Sequence, residues 1–255
     1  MNEQANHNHE ELHRRARAQG WLKTGLLLGL GVYFSVLILT GSLNNYINPR
    51  FAWLTFVAAG VFFLLGGYNL YMLVRGQDED GHDHGHDHTV SWGALLLLGV
   101  PLALGVPIPS QPLGADAVGG SISTTSSAGV VDATTFTIAP EYRNVLDWLR
   151  VFNAASDYTA LEGQPANVIG FVYLEPDMPA DEFMAARFTI SCCVADASAI
   201  GLPVLWAGAS GLPQGGWVQV QGVIEVAEVD GETRPVLRAT SVETVAQPEQ
   251  PYLFP

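Results

Sequence analysis

Cys192 and Cys193 are the only cysteines in the chain, and they are adjacent. Neighbouring cysteines cannot staple distant segments, so they do not form a disulfide framework. Read as an extended strand, the stretch from Arg187 to Ala197 alternates. Phe188, Ile190, Cys192 and Val194 share one face; Arg187, Thr189, Ser191, Cys193 and Ala195 share the other. This predicts Cys192 toward a core and Cys193 outward beside Arg187, whose charge would favour a thiolate. Asp196 joins Cys193 only if the chain turns just after Val194. Three uses stay open for the pair. It is a core residue next to an incidental thiol, a soft-metal or thiol site with Arg187 and Asp196, or a vicinal disulfide that switches with redox state.

A second group of potential ligands is His82, His84, His86 and His88, which alternate with small or acidic residues. Neutral imidazoles with carboxylates suit a divalent metal such as Zn²⁺, Ni²⁺ or Co²⁺. His7, His9 and His13 can add ligands. The competing reading is a solvated low-complexity loop that binds metal only weakly. A structural zinc site would need fixed spacing and cysteines, and this tract has neither.

Catalytic patterns are absent. Past residue 109 there is no histidine, which rules out Ser-His-Asp and Cys-His pairs within that half. No Walker-type loop or dinucleotide-binding glycine pattern follows a strand. The same half carries five arginines and no lysine against seventeen carboxylates, and the whole chain has a net charge of −14. Such a surface repels phosphate backbones, so nucleic acid is an unsuitable partner. Asp147 and the Asp177–Glu182 acids read as solvated surface.

The elements that must position these residues begin with a polar tail over residues 1–21. An apolar run from Leu22 to about Leu43 is long enough to cross a bilayer, and no small-x-small cleavage site follows it. Gly25 and Gly29 within it form a GxxxG, which reads either as a site of close helix approach or, equally, as part of a glycine-rich membrane helix. A short turn, Asn44 to Arg50, leads to a second span from about Phe51 to Val74. Trp53, Tyr68 and Tyr71 sit near its ends, where aromatic belts form. After the histidine-rich loop at 75–90, a third apolar run covers Trp92 to Ile108, interrupted by Pro101. It is read as a span, with a re-entrant segment as the alternative. Arg14, Arg15, Arg17 and Lys23 flank the first span, whereas Arg50 stands alone in the turn. That imbalance places the N-terminus and the histidine loop in the cytoplasm, and residues beyond 110 outside if the third run crosses. The membrane region thus occupies 22–109.

Residues 110–135 are rich in Ser, Thr, Gly and Ala and predict a flexible tether. A soluble domain over 136–255 follows. A helix is expected from Pro140 to about Phe152, with Tyr142, Val145, Leu149 and Phe152 on one face. Strands are expected at Asn167–Leu174, Phe183–Ala195, Pro203–Ala207, Trp217–Val226 and Pro235–Val242. The fold class is α+β: transmembrane helices, then one helix and a small closed barrel, OB-like, with a small sandwich as the alternative. Trp217 is expected to cover one end of the barrel.

Several strings together resemble a known family. They are Tyr46-Ile47-Asn48-Pro49-Arg50, Gly170-Phe171-Val172-Tyr173, Arg187-Phe188, Cys192-Cys193-Val194-Ala195-Asp196-Ala197, Trp217-Val218, Gln247-Pro248 and Pro251-Tyr252. The chain resembles the YcgQ-like bacterial membrane proteins, described as permease subunits, over all but the Ser/Thr-rich tether. The resemblance implies a polytopic membrane permease as partner and supplies neither substrate nor catalytic residues. The expected function is a non-enzymatic accessory subunit with an extracytoplasmic ligand- or metal-responsive domain. The alternative is a membrane-tethered metal or thiol-redox sensor that acts without a permease.

Overall fold

The computed structural model describes residues 2–75, 91–119, 122–124, 137–229 and 232–255, with side chains for residues 2–16, 229 and 232 left aside. The histidine loop, with His82, His84, His86 and His88, lies outside the described residues. The chain forms two compact units. One takes in residues up to Leu43 together with Pro49–Gln111; the other is Asn44–Asn48 with Pro112–Pro255.

The first unit contains α1 (Asn2–Leu39), α2 (Ala52–Val74) and α3 (Trp92–Gly105). Two stretches, Arg17–Leu39 and Pro49–Val74, are long and apolar enough to cross a membrane. Their apolar side chains, among them Val32, Phe56 and Leu64, are largely exposed, which water would not tolerate but lipid would. Glycines bring the helices close. A Cβ at Gly66 would meet Leu28 side-chain carbon at 2.7 Å, and one at Gly31 would meet Phe63 at 3.1 Å. With Phe34 stacked on Phe62 at 5.7 Å, the opposing residue numbers run in opposite senses, so α1 and α2 are antiparallel. Helix α3 packs on α1 through Gly29 with Leu102 and Gly99 with Leu26, in parallel sense. Gly29 of the Gly25/Gly29 pair makes a close approach, whereas a Cβ at Gly25 would meet nothing within 4 Å. Pro101 lies inside α3, and helical hydrogen bonds continue past its end, from Val106 N–H to Leu102 O and from Ile108 N–H to Leu104 O.

The second unit is a closed five-stranded barrel preceded by a helix. Its elements are α4 (Val145–Ala154), β1 (Pro165–Tyr173), β2 (Glu182–Thr189), β3 (Ser198–Leu205), β4 (Trp217–Val229), β5 (Glu232–Thr244) and a short β6 (Tyr252–Leu253). The strands run in the order β1-β4-β5-β3-β2, and pairing of β1 with β2 closes the ring. All pairs in the ring are antiparallel except β3 with β5. On β4, Val218, Val220 and Ile224 point inward as the alternation predicts, and a bulge at Gln221/Gly222 bends the strand. Trp148 and Leu149 of α4 share this interior with Phe183 and Val204.

The helix starts later than expected. Pro140–Tyr142 is only a short 3-10 turn, and Asn144 begins α4. Its side chain accepts from the Asp147 N–H at 3.1 Å, and the Asp147 carboxylate accepts from the Asn144 N–H at 3.2 Å. This reciprocal cap outweighs the preference of Pro140 for a first turn. It leaves Tyr142 exposed and Asp147 buried, the reverse of the sequence expectation for both.

Strand β2 is buried on both faces. Phe183 and Ala185 face the interior; Met184, Ala186 and Phe188 belong to a second apolar cluster on the outer side of the sheet. Leu113, Val118 and Ile122 cover that cluster with Tyr252 of β6. The described part of the predicted tether is therefore packed, and Ser123 forms a parallel bridge with Ile200.

Candidate functional site

The site lies in the loop between β2 and β3. Strand pairing stops at Thr189, well short of the expected end at Ala195. Asp196 explains why. Its carboxylate accepts from the N–H groups of Ser191 at 2.8 Å, Cys192 at 2.8 Å and Cys193 at 3.4 Å. Three donors converging on one anion take up the backbone groups a continuing ladder would need. Val194–Asp196 then form a 3-10 turn.

This loop brings three ligating atoms together. The sulfurs of Cys192 and Cys193 are 3.7 Å apart, and both thiols are free. Ligand atoms of Cys192, Cys193 and Asp196 all lie within 4.8 Å of one another. Cys192 is exposed and Cys193 half-buried, so Cys192 does not face a core as the alternation suggested. The turn that Asp196 needed to reach Cys193 is present. A hydrogen bond from the Cys192 thiol lowers the Asp196 pKa, reinforced by the backbone donors. In return the Asp196 carboxylate, followed by Cys193, raises the Cys192 pKa to about 11. Cys192 is held as a protonated thiol, not as a ready nucleophile.

Arg187 is engaged elsewhere. It is buried, and its guanidinium donates to Pro251 O at 3.1 Å, Ile169 O at 3.2 Å and Gln250 O at 2.7 Å. It also lies over the Trp217 ring at 5.2 Å. Burial lowers its pKa to about 10, still charged at neutral pH. Its role is to bind the C-terminal segment to β1, and Trp217 packs on the outer cluster against Phe171.

Sequence reasoning missed the residues that hold the loop from its other side. Ile47 pairs antiparallel with Cys193. The Asn48 N–H donates to Cys192 O at 3.0 Å, the Val194 N–H to Tyr46 O at 2.8 Å, and Asn48 Nδ2 to Ser191 O at 2.9 Å. Tyr252 joins the same region: its hydroxyl accepts from the Leu113 N–H at 2.9 Å and donates to Asn45 O at 3.1 Å. The only hint was that Tyr46 to Arg50 and Pro251-Tyr252 stand among the resembling strings.

Comparison with known proteins covers most of the chain. Residues 22–122 match the DUF1980 N-terminal domain and residues 132–255 the DUF1980 C-terminal domain. A Streptococcus mutans protein named "Putative two-component membrane permease complex subunit" is 23% identical, over 88% of this chain and 94% of its own length. The UPF0703 protein YcgQ of Bacillus subtilis is 22% identical, over 90% of this chain and 97% of its own.

Proposed function

The chain belongs to the YcgQ-like family built from the two DUF1980 domains, and on that premise we propose that it is a non-enzymatic accessory subunit of a membrane permease. The carrying observation is the near full-length match to a relative named as a permease complex subunit, on a chain with two membrane-length helices. The partner is a polytopic permease in the same bilayer.

The barrel is the extracytoplasmic, ligand-responsive part. Three observations support that placement. Arg14, Arg15, Arg17 and Lys23 cluster at the N-terminal end of the apolar run of α1. The α1–α2 connection, Asn44–Asn48, falls in one compact unit with the barrel. Helix α3 runs parallel to α1, the sense needed to carry the chain back across after α2. The barrel's connectivity, with antiparallel neighbours and one parallel pair, β3 with β5, supports the OB-like reading. The histidine-rich loop then faces the cytoplasm and binds a divalent metal such as Zn²⁺. Replacing His82, His84, His86 and His88 with Ser should lower that binding, and unchanged affinity would remove the role.

Sidedness can be read without engineering, because Cys192 and Cys193 are the only thiols. A membrane-impermeant maleimide should label intact cells as fully as lysed ones. Labelling that appears only after lysis would put the barrel in the cytoplasm. The second reading, a sensor acting alone, is favoured by the thiol-carboxylate cluster; it predicts that no partner copurifies.

A further inference from the structure

We propose that Cys192, Cys193 and Asp196 form an exchangeable binding site for a thiophilic divalent cation of the Zn²⁺ class. This deepens the reading of the barrel as the ligand-responsive part of a permease subunit, and it is distinct from the histidine loop.

The geometry fits such an ion. Two thiolates bound tetrahedrally at about 2.3 Å are separated by about 3.8 Å. The two sulfurs here are 3.7 Å apart, and the Asp196 oxygen completes a triangle with no side above 4.8 Å. When a cation binds, the two thiols release their two protons to solvent, and two thiolates and one carboxylate hold the metal. No electron is transferred.

The ligands are also preorganised. Backbone donors fix the Asp196 carboxylate, and Tyr46, Ile47 and Asn48 pin the cysteine backbone from the opposite side. Three ligands leave the fourth tetrahedral position to water, the pattern of an open site and not a closed structural one. Exposure of Cys192 and Asp196 gives the ion access. The bridge from Ile47 ends on Cys193 itself, so the α1–α2 connection borders the site.

The test uses the purified full chain in lipid nanodiscs with Co²⁺ as probe. His7, His9, His13, His82, His84, His86 and His88 are replaced with Ser, which removes every imidazole in the chain. Titration should produce a thiolate-to-Co²⁺ charge-transfer band that saturates near one ion per chain and is bleached by Zn²⁺ but not Mg²⁺. Asp196→Asn should weaken binding on the order of tenfold or more, and Cys193→Ser should abolish the two-thiolate band. Circular dichroism confirms that each variant stays folded. If a variant unfolds, protection of the unaltered thiols from alkylation by Zn²⁺ decides instead. Absence of the band, a band that Asp196→Asn leaves unchanged, or no Zn²⁺ protection overturns the proposal. Since no partner is present, a negative result leaves the permease-subunit reading standing, and failure to find a permease leaves this site standing.

Discussion

Replacing Asp196 with Asn should make Cys192 more reactive, although a charged neighbour is removed and nothing is added. Asp196 is the largest cause of the upward shift of Cys192, from 9.0 to about 11. At pH 8 a thiol with a pKa near 11 is about 0.1% thiolate, and one near 9 is about 10% thiolate. That is about a hundredfold more nucleophile. A less basic thiolate is intrinsically weaker, which takes back about a factor of ten over two units. The net gain is about tenfold. The measurement should be made in a Cys193→Ser background, so that Cys192 is the only thiol. Cys193 contributes part of the shift and its removal trims the effect, so about threefold to tenfold is expected. The assay is the pseudo-first-order rate of alkylation by iodoacetamide at pH 8, compared between Cys193→Ser and Cys193→Ser/Asp196→Asn. Asp157→Asn serves as a control, because that carboxylate caps Thr159 in a different loop. An equal or slower rate in the Asp196→Asn chain would refute the assignment of Asp196 as the group that holds the Cys192 proton.

Arg187→Met should destabilise the barrel by about 3 kcal/mol, because three backbone carbonyls lose a charged donor in a buried setting. Chemical denaturation followed by tryptophan fluorescence measures it, and a loss below about 1 kcal/mol would contradict the role given to the guanidinium. Tyr252→Phe should cost about 1–2 kcal/mol and speed hydrogen exchange at the Leu113 amide, which donates to its hydroxyl. Gly222→Ala should be more damaging than either, since a Cβ there collides with the Arg238 carbonyl across the β4 bulge. A shift in melting temperature no larger than that of a surface substitution would show that the bulge relaxes.

How much of this was legible depended on whether one face of an element was left to solvent. The inward positions of β4 could be read because Gln219, Gln221 and Glu225 alternate with Val218, Val220 and Ile224. Strand β2 offers no such contrast: both of its faces are buried, one in the barrel and one beneath Leu113, Val118 and Ile122. Alternation therefore assigned Arg187 and Cys193 to a shared outer face, when Arg187 bonds to carbonyls of β1 and the C-terminal segment. The end of β2 was hidden for a different reason. A single carboxylate beyond the end of a strand looks like any loop acid, and its three backbone bonds appear only in three dimensions. The start of α4 was within reach, since Asn144-x-x-Asp147 is a capping pattern, but Pro140 drew the boundary forward. No local pattern marks the contact between Asn48 and Ser191, which are 143 residues apart. The grouping of Cys192, Cys193 and Asp196 was legible from their proximity in the chain; the turn that unites them was not.

The most direct test of the central claim is copurification. The tagged full-length chain should be extracted from its native membrane in mild detergent, captured, and its companions identified by mass spectrometry. A polytopic membrane permease recovered in near-stoichiometric amount is the predicted result. Recovery of the chain alone, under conditions in which the barrel remains folded and membrane lipid is retained, would contradict the reading of it as a permease subunit.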